Sequence, residues 1–197
     1  MSTIDTQTWI ILAAVVILLL LAVVGWLAYR KHQSQRLQQR FGPEYGRAVD
    51  ELGSKEKAES ELRAREKRVE RLHIIPLAPA EAARFSQAWK ALQARFVDNP
   101  KGVVVQADQL VRELMERRGY PMGDFDSRAA DISVDHPEVV EHYRAAQAVA
   151  VRDQRGAANT EEMRMAVVHY RALFDEMLEV SESPQEVRKE EAEAHHE

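Results

Sequence analysis

One stretch of the chain is apolar along its whole length. Residues 9–29 contain no charged or amide side chain. At about 1.5 Å of rise per residue, these 21 residues make a helix of about 31 Å, which matches a bilayer core of about 30 Å. Trp9 begins the run, and Trp26 and Tyr29 lie near its end, where amphipathic rings favour the headgroup region. The pattern predicts a transmembrane helix over 9–29.

The charges beside this run predict its orientation. No Lys or Arg precedes the run, and four basic residues follow it: Arg30, Lys31, Arg36 and Arg40. Because basic residues beside a span stay in the cytoplasm, we expect the short tail 1–8 outside and the remainder inside, with the opposite orientation as the alternative. A cleaved signal sequence has a basic start, a shorter apolar core and a small-residue cleavage site, so these flanks favour a retained anchor in the cell membrane.

Residues 30–72 are polar and rich in strong helix formers. The segment carries twelve basic and eight acidic residues, and Pro43 suits the first turn of a helix. A thin apolar stripe at three- and four-residue steps gives a weak coiled-coil pattern, which Lys55 and Glu66 interrupt. The segment therefore predicts a long, exposed, charged juxtamembrane helix, in which Gly53 marks a candidate break.

Between His73 and Val180 the apolar residues recur at helical spacing. The first stripe consists of Phe85, Trp89, Leu92 and Phe96; the second of Val104, Ala107, Val111 and Leu114; and the last of Met163, Val167, Tyr170, Phe174 and Met177. The predicted helices cover 80–97, about 103–118, 137–155 and 160–177, with a short helix ending at 132. Asp135 and Thr160 are predicted N-caps, and Gly119 is a predicted C-cap.

These patterns together predict the fold class. No stretch has the alternation of apolar and polar residues that strands require. The chain is therefore predicted to be all-α, with an N-terminal transmembrane helix, a long charged helix, and a helical bundle of about four main helices over 73–180. The acidic segment 181–197 lacks apolar anchors and is predicted to be a disordered tail.

The composition of the chain excludes several classes of function. With 0 Cys, the chain has no disulfide, thiolate nucleophile or Cys-bound metal. The net charge is -5, and the aromatic residues of the predicted bundle fall on its apolar stripes, so nucleic-acid binding is not expected. Phosphate-binding loops, dinucleotide-binding fingerprints and nucleophile elbows are absent from the sequence.

Potential chemistry is concentrated between Asp131 and His142. His136 and His142 are six residues apart, and Glu138 and Glu141 have no His three residues after them, so the spacing does not match helical metal sites. Simpler roles as cap and first-turn acid suit Asp135 and Glu138. The sequence therefore predicts no catalytic residue, no metal site and no cofactor.

The loop after Arg118 contains candidate binding residues. Tyr120, Asp124 and Phe125 would form a partner-binding surface if they were exposed. The favoured alternative is a packed corner in which the two aromatic rings close the end of the bundle.

A short motif occurs twice in this part of the chain. Residues 139–145 and 167–172 share the run His-Tyr-Arg-Ala. If Tyr143 and Tyr170 point inward, His142 and His169 flank the seam between two helices symmetrically. The motif indicates similar packing needs or, as the sharper alternative, a duplicated recognition face.

Two runs carry a resemblance to a known family. Arg-Phe-Gly-Pro-Glu-Tyr at 40–45 and Asp-His-Pro-Glu-Val-Val-Glu-His-Tyr-Arg at 135–144 resemble segments of a bacterial family of small single-span membrane proteins with a cytoplasmic helical domain. The resemblance implies a bacterial source, and the family supplies no activity to transfer.

The resulting hypothesis is a membrane-anchored, non-enzymatic helical adaptor or scaffold. It would contact the lipid bilayer through its anchor and bind a protein partner, or another copy of itself, through the bundle. A stalk-like subunit of a membrane complex is a variant of this hypothesis. The alternative is a ligand- or metal-binding sensor or enzyme that uses His136 and His142.

Overall fold

The computed structural model describes residues 6–178, and every regular element in that range is an α-helix. The helices are α1 Thr6–Phe41, α2 Pro43–Leu52, α3 Lys55–Val69, α4 Pro79–Ala94, α5 Pro100–Arg118, α6 Phe125–Asp135, α7 Pro137–Gln154 and α8 Thr160–Met177. The all-α prediction is confirmed for this range. The predicted acidic tail lies outside the described residues, as does most of the short segment before the apolar run.

Helix α1 contains the apolar run. Near the N-terminus, the stretch Ala14–Phe41 is long and apolar enough to cross a membrane by length and composition. The apolar side chains of residues 14–29 are exposed, Leu18 by 66%, and Trp9 is exposed as well. Trp26 and Tyr29 are among these exposed side chains. The Arg30 guanidinium lies 5.0 Å from the centre of the Trp26 ring, a cation–π contact at the end of the run.

The prediction of one long helix over 30–72 is wrong, although the candidate break at Gly53 is confirmed. The chain turns at Gly42 and at Gly53, whose φ angles are 48° and 69°. Glycine adopts positive φ at little cost because it lacks a Cβ. As a result, α1 continues to Phe41, and two separate helices, α2 and α3, follow it.

These three helices also bury side chains that the sequence analysis placed on an exposed helix. The buried apolar residues are Leu37, Phe41, Tyr45, Ala48, Ala58 and Leu62. The Tyr45 hydroxyl donates a hydrogen bond to Glu59 Oε1 at 3.0 Å, and Arg30 Nη2 lies 4.0 Å from Glu56 Oε1. The chain divides into two compact units, and this first unit ends at Leu62.

The second unit begins at Arg63 and contains α4 to α8. Helix α8 packs against α5 and α7, α6 packs against α7, and α4 packs against α5. The three predicted stripes lie in one apolar core, except for Phe96, which follows the end of α4 and is half-buried. Trp89 stacks on Phe174 with ring centres 4.7 Å apart, which joins α4 to α8.

Two predicted N-caps are displaced by one residue. Helix α6 continues through Asp135, so His136 is the N-cap of α7. Asn159, not Thr160, caps α8: its side chain accepts from Glu162 N at 2.9 Å, and Glu162 Oε2 accepts from Asn159 N at 2.9 Å. This reciprocal arrangement is a capping box, which the two residues form because they are three positions apart.

The ends of α5 show one correction and one confirmation. The helix begins at Pro100, three residues before the predicted start, because Asn99 caps it by accepting from Gly102 N at 3.0 Å. Gly119 ends the helix as predicted, with φ 96°. A Cβ on Gly119 would lie 2.3 Å from the carbonyl oxygen of His73, so this position requires glycine for space as well as for conformation.

Candidate functional site

The hairpin of α7 and α8 brings the two His-Tyr-Arg-Ala runs together. At one end of the hairpin, His136 Nδ1 lies 3.0 Å from Glu176 Oε1, and at the other Arg152 Nη2 lies 2.7 Å from Glu162 Oε1. Because the start of α7 contacts the end of α8, and the end of α7 contacts the start of α8, the two helices are antiparallel. The first two residues of one run, His142 and Tyr143, contact His169 and Tyr170 of the other.

The two tyrosines of the motif lie inside the core. Tyr143 and Tyr170 are fully buried, and their rings meet edge to face with centres 6.4 Å apart. Arg128 Nε donates to the Tyr143 hydroxyl at 3.1 Å, and the Tyr170 hydroxyl donates to Asp108 Oδ1 at 3.2 Å. The structure therefore meets the condition under which the two histidines flank the seam: both tyrosines point inward and have polar partners.

Burial raises the pKa of both tyrosines above its ordinary value. Loss of hydration raises the pKa of Tyr143, although the adjacent Arg128 opposes this rise. Burial raises the pKa of Tyr170 further, and the negative charge of Asp108 acts in the same direction. Both hydroxyls are therefore neutral near pH 7, and they serve as hydrogen-bonding groups that join the helices.

The two histidines precede the tyrosines and lie at the surface of the seam. His142 Nδ1 is 3.0 Å from His169 Nδ1, and the rings stack with centres 5.1 Å apart at an angle of 28°. His142 is exposed and His169 is half-buried. In a hydrogen bond between two Nδ1 atoms, one ring donates and the other accepts, so at least one of the two imidazoles is neutral.

The environment of His169 favours its neutral form. Partial burial lowers the pKa of this imidazole, and the charge of His142 lowers it further. Both effects penalise a positive charge at the same place. The neutral form of His169 is therefore favoured at the edge of the hairpin.

His136 occupies a different position from His142. It borders a cavity of about 250 Å³ that is lined by Asp135, His136, Pro137, Glu138, Val139 and Glu176. His136 contacts Glu176, whereas His142 contacts His169. The structure therefore gives the two histidines of the sensor hypothesis separate partners.

The three loop candidates lie at the start of α6. Asp124 caps this helix by accepting from Ser127 N at 2.9 Å, and its hydrogen bonds from Ser127 lower the pKa of its carboxyl group. The Phe125 ring lies 4.8 Å from the Tyr143 ring, and Tyr120 is buried. The two aromatic side chains therefore lie against the core, and the acid has a local structural role.

Sequence reasoning did not identify the contact between the histidines, although the chain contains a signal for it. His142 and His169 are almost equally far from Gly156, which follows the end of α7. Two copies of a motif placed evenly around the turn of an antiparallel hairpin must face each other. The polar partners of the tyrosines, Asp108 on α5 and Arg128 on α6, lie outside the hairpin and had no such signal.

Within residues 6–178, no group of three or more His, Asp or Glu residues is close enough to hold a metal ion. Comparison with protein-family models, curated proteins and solved structures found no match to this chain. The resemblance of residues 40–45 and 135–144 to a bacterial membrane family stays a prediction.

Proposed function

We propose that the protein is a membrane-anchored, non-enzymatic adaptor whose helical unit binds a protein partner. The observation that carries this proposal is the exposure of the apolar side chains on α1, such as Leu18 and Leu21, at 66% and 63%. Leaving a continuous apolar helix in water is unfavourable, and a bilayer removes that cost. The basic residues Arg30 and Lys31 after the run support a cytoplasmic location for the second unit.

The second unit supports the adaptor part of the proposal. Its helices surround their own apolar core, which is the property of a domain that folds as a module. Apolar side chains also remain on its surface, with Val97 exposed by 88%, Val105 by 49% and Val168 by 46%. Such residues supply apolar contact area when a partner covers them.

The test is affinity capture of the full-length protein from mild-detergent membranes, followed by mass spectrometry. We expect a stoichiometric partner that is lost when residues 73–180 are deleted. Deletion of 181–197 is the matched control and should leave the partner bound. A full-length protein that is purified alone, or a partner that is retained without 73–180, would contradict the proposal.

A further inference from the structure

The His142–His169 pair has the geometry of two ligands on one metal ion. Transition-metal ions bind histidine nitrogens at about 2.0–2.1 Å, so two such nitrogens lie about 2.9 Å apart at right angles and about 3.4 Å apart at the tetrahedral angle. The two Nδ1 atoms are 3.0 Å apart, within that range. The distance between the two Nδ1 atoms therefore fits two ligands of one ion.

The surroundings of the pair also suit a cation. The arginine that follows each histidine binds a carboxylate elsewhere: Arg144 Nη1 lies 3.8 Å from Asp126 Oδ1, and Arg171 Nε lies 3.2 Å from Asp175 Oδ2. Each carboxylate therefore partly neutralises the positive charge of its arginine, at a position away from the imidazoles. Glu138 precedes His142 by four residues and so lies on the same face of α7.

On one side of each histidine, the residue one turn away is an alanine. Alanine follows each histidine by three positions, at Ala145 and Ala172, one helical turn further along its own helix. Because the helices are antiparallel, these alanines lie on opposite sides of the histidine pair. An ion held by two imidazoles completes its coordination with water, and methyl side chains leave space for that water.

We infer that His142 and His169 form a two-histidine site for a divalent transition-metal ion of the Zn²⁺, Ni²⁺ or Cu²⁺ class, which links α7 to α8 at the surface of the hairpin. Imidazole suits these ions, whereas Mg²⁺ and Ca²⁺ prefer oxygen ligands. Both ligands must be neutral to bind, a state that the environment of His169 already favours. This inference is independent of the proposed adaptor function.

The first test is Zn²⁺ binding to the full-length protein in detergent, measured by competition with a chromophoric chelator. The protein carries no histidine tag, and the background variant has His195→Gln and His196→Gln, so that these two adjacent imidazoles do not compete for zinc. We expect one Zn²⁺ per chain. His142→Gln and His169→Gln should each weaken binding at least about tenfold, because one ligand alone loses the advantage of two linked ligands.

His136→Gln is the matched control, since it removes a neighbouring histidine that contacts Glu176 instead of the pair. It should retain the affinity of the background protein. Zinc should also raise the unfolding temperature of the background protein and of His136→Gln, but not that of His142→Gln. Equal affinity in all of these variants, or a loss of binding in His136→Gln alone, would overturn the inference.

A second measurement needs no substitution in the hairpin. The electron paramagnetic resonance spectrum of Cu²⁺ bound to the background protein should show coupling to two imidazole nitrogens. Coupling to one nitrogen, or the absence of a bound copper signal at one equivalent, would show that the two histidines form only a hydrogen bond. Excess Mg²⁺ should leave the copper spectrum unchanged, and displacement of copper by Mg²⁺ would also contradict the assignment.

Discussion

At the residue scale, the same four-residue motif places two side-chain types in opposite environments. Tyr143 and Tyr170 are buried and bind polar groups from other helices. His142 and His169 lie one position earlier, which rotates them by about 100° around their helices, to the edge of the seam. Of two neighbouring positions in a helix, one can therefore stabilise the core while the other lies at the surface.

The pKa of His169 gives a prediction for stability. In the unfolded chain this imidazole takes up a proton as the pH falls through about 6.5, whereas the folded protein does so only at lower pH because its pKa is lowered. The unfolded state then binds more protons, so folding stability contributed by His169 is lost as the pH falls below about 6.5. The unfolding temperature of the full-length protein should fall more between pH 7.5 and 5.5 than that of His169→Gln.

The control is His73→Gln, which removes an exposed imidazole that precedes α4. It should show the same decrease in unfolding temperature as the unsubstituted protein. Equal decreases in the unsubstituted protein and in His169→Gln would contradict the prediction. All measurements use metal-free buffer, because a bound ion would add its own pH dependence.

At the element scale, short polar signals determine where helices begin. Threonine is a good N-cap, so the sequence predicts Thr160 as the N-cap of α8. In the structure Asn159 is the N-cap, and it forms the capping box with Glu162. Both residues are suitable caps, and the position of the acid three residues later favours the asparagine.

The two candidate N-caps predict different effects of alanine substitution on the free energy of unfolding. Asn159→Ala should lower the free energy of unfolding by about 1 kcal/mol, because it leaves a backbone N–H at the start of α8 without its acceptor. Thr160→Ala should change this free energy by less than about 0.5 kcal/mol, as exposed substitutions without a special role do. Chemical denaturation of the full-length protein in detergent measures both. A larger effect for Thr160→Ala would show that the helix begins one residue later.

At the scale of the whole molecule, the chain combines an exposed apolar helix with a separately packed helical unit. The two parts differ in character, since α1 is long and apolar enough to cross a membrane, whereas the second unit has its own apolar core. The absence of cysteine from the sequence offers a direct test of the membrane orientation, because any single cysteine that is introduced becomes the only labelling site.

We predict that Thr3→Cys is labelled by a membrane-impermeant maleimide in intact cells, and that Val97→Cys is labelled only after the cells are lysed. Val97 suits this test because it is 88% exposed. The reverse labelling pattern would show that the second unit lies outside. Adding Leu18→Arg and Leu20→Arg should abolish the labelling of Thr3→Cys, because each arginine costs about 2.5–3.5 kcal/mol on insertion at the centre of a span.

The local pattern of the sequence was sufficient for several features. The all-α class, the apolar helix, the buried stripes of α4, α5 and α8, and the C-cap at Gly119 all follow from helical spacing and from residue types with strong local preferences. These features depend on interactions within a few residues of the chain. For that reason a single sequence determines them.

Other features depended on the tertiary structure. The single charged helix predicted over 30–72 becomes separate helices with buried side chains such as Phe41 and Leu62, because burial outweighs helix propensity in a segment that contains two glycine turns. The contact between His142 and His169 likewise required the hairpin to close. Sequence spacing measures distance along one helix, whereas this pair depends on how two helices pack, and only the folded chain determines that distance.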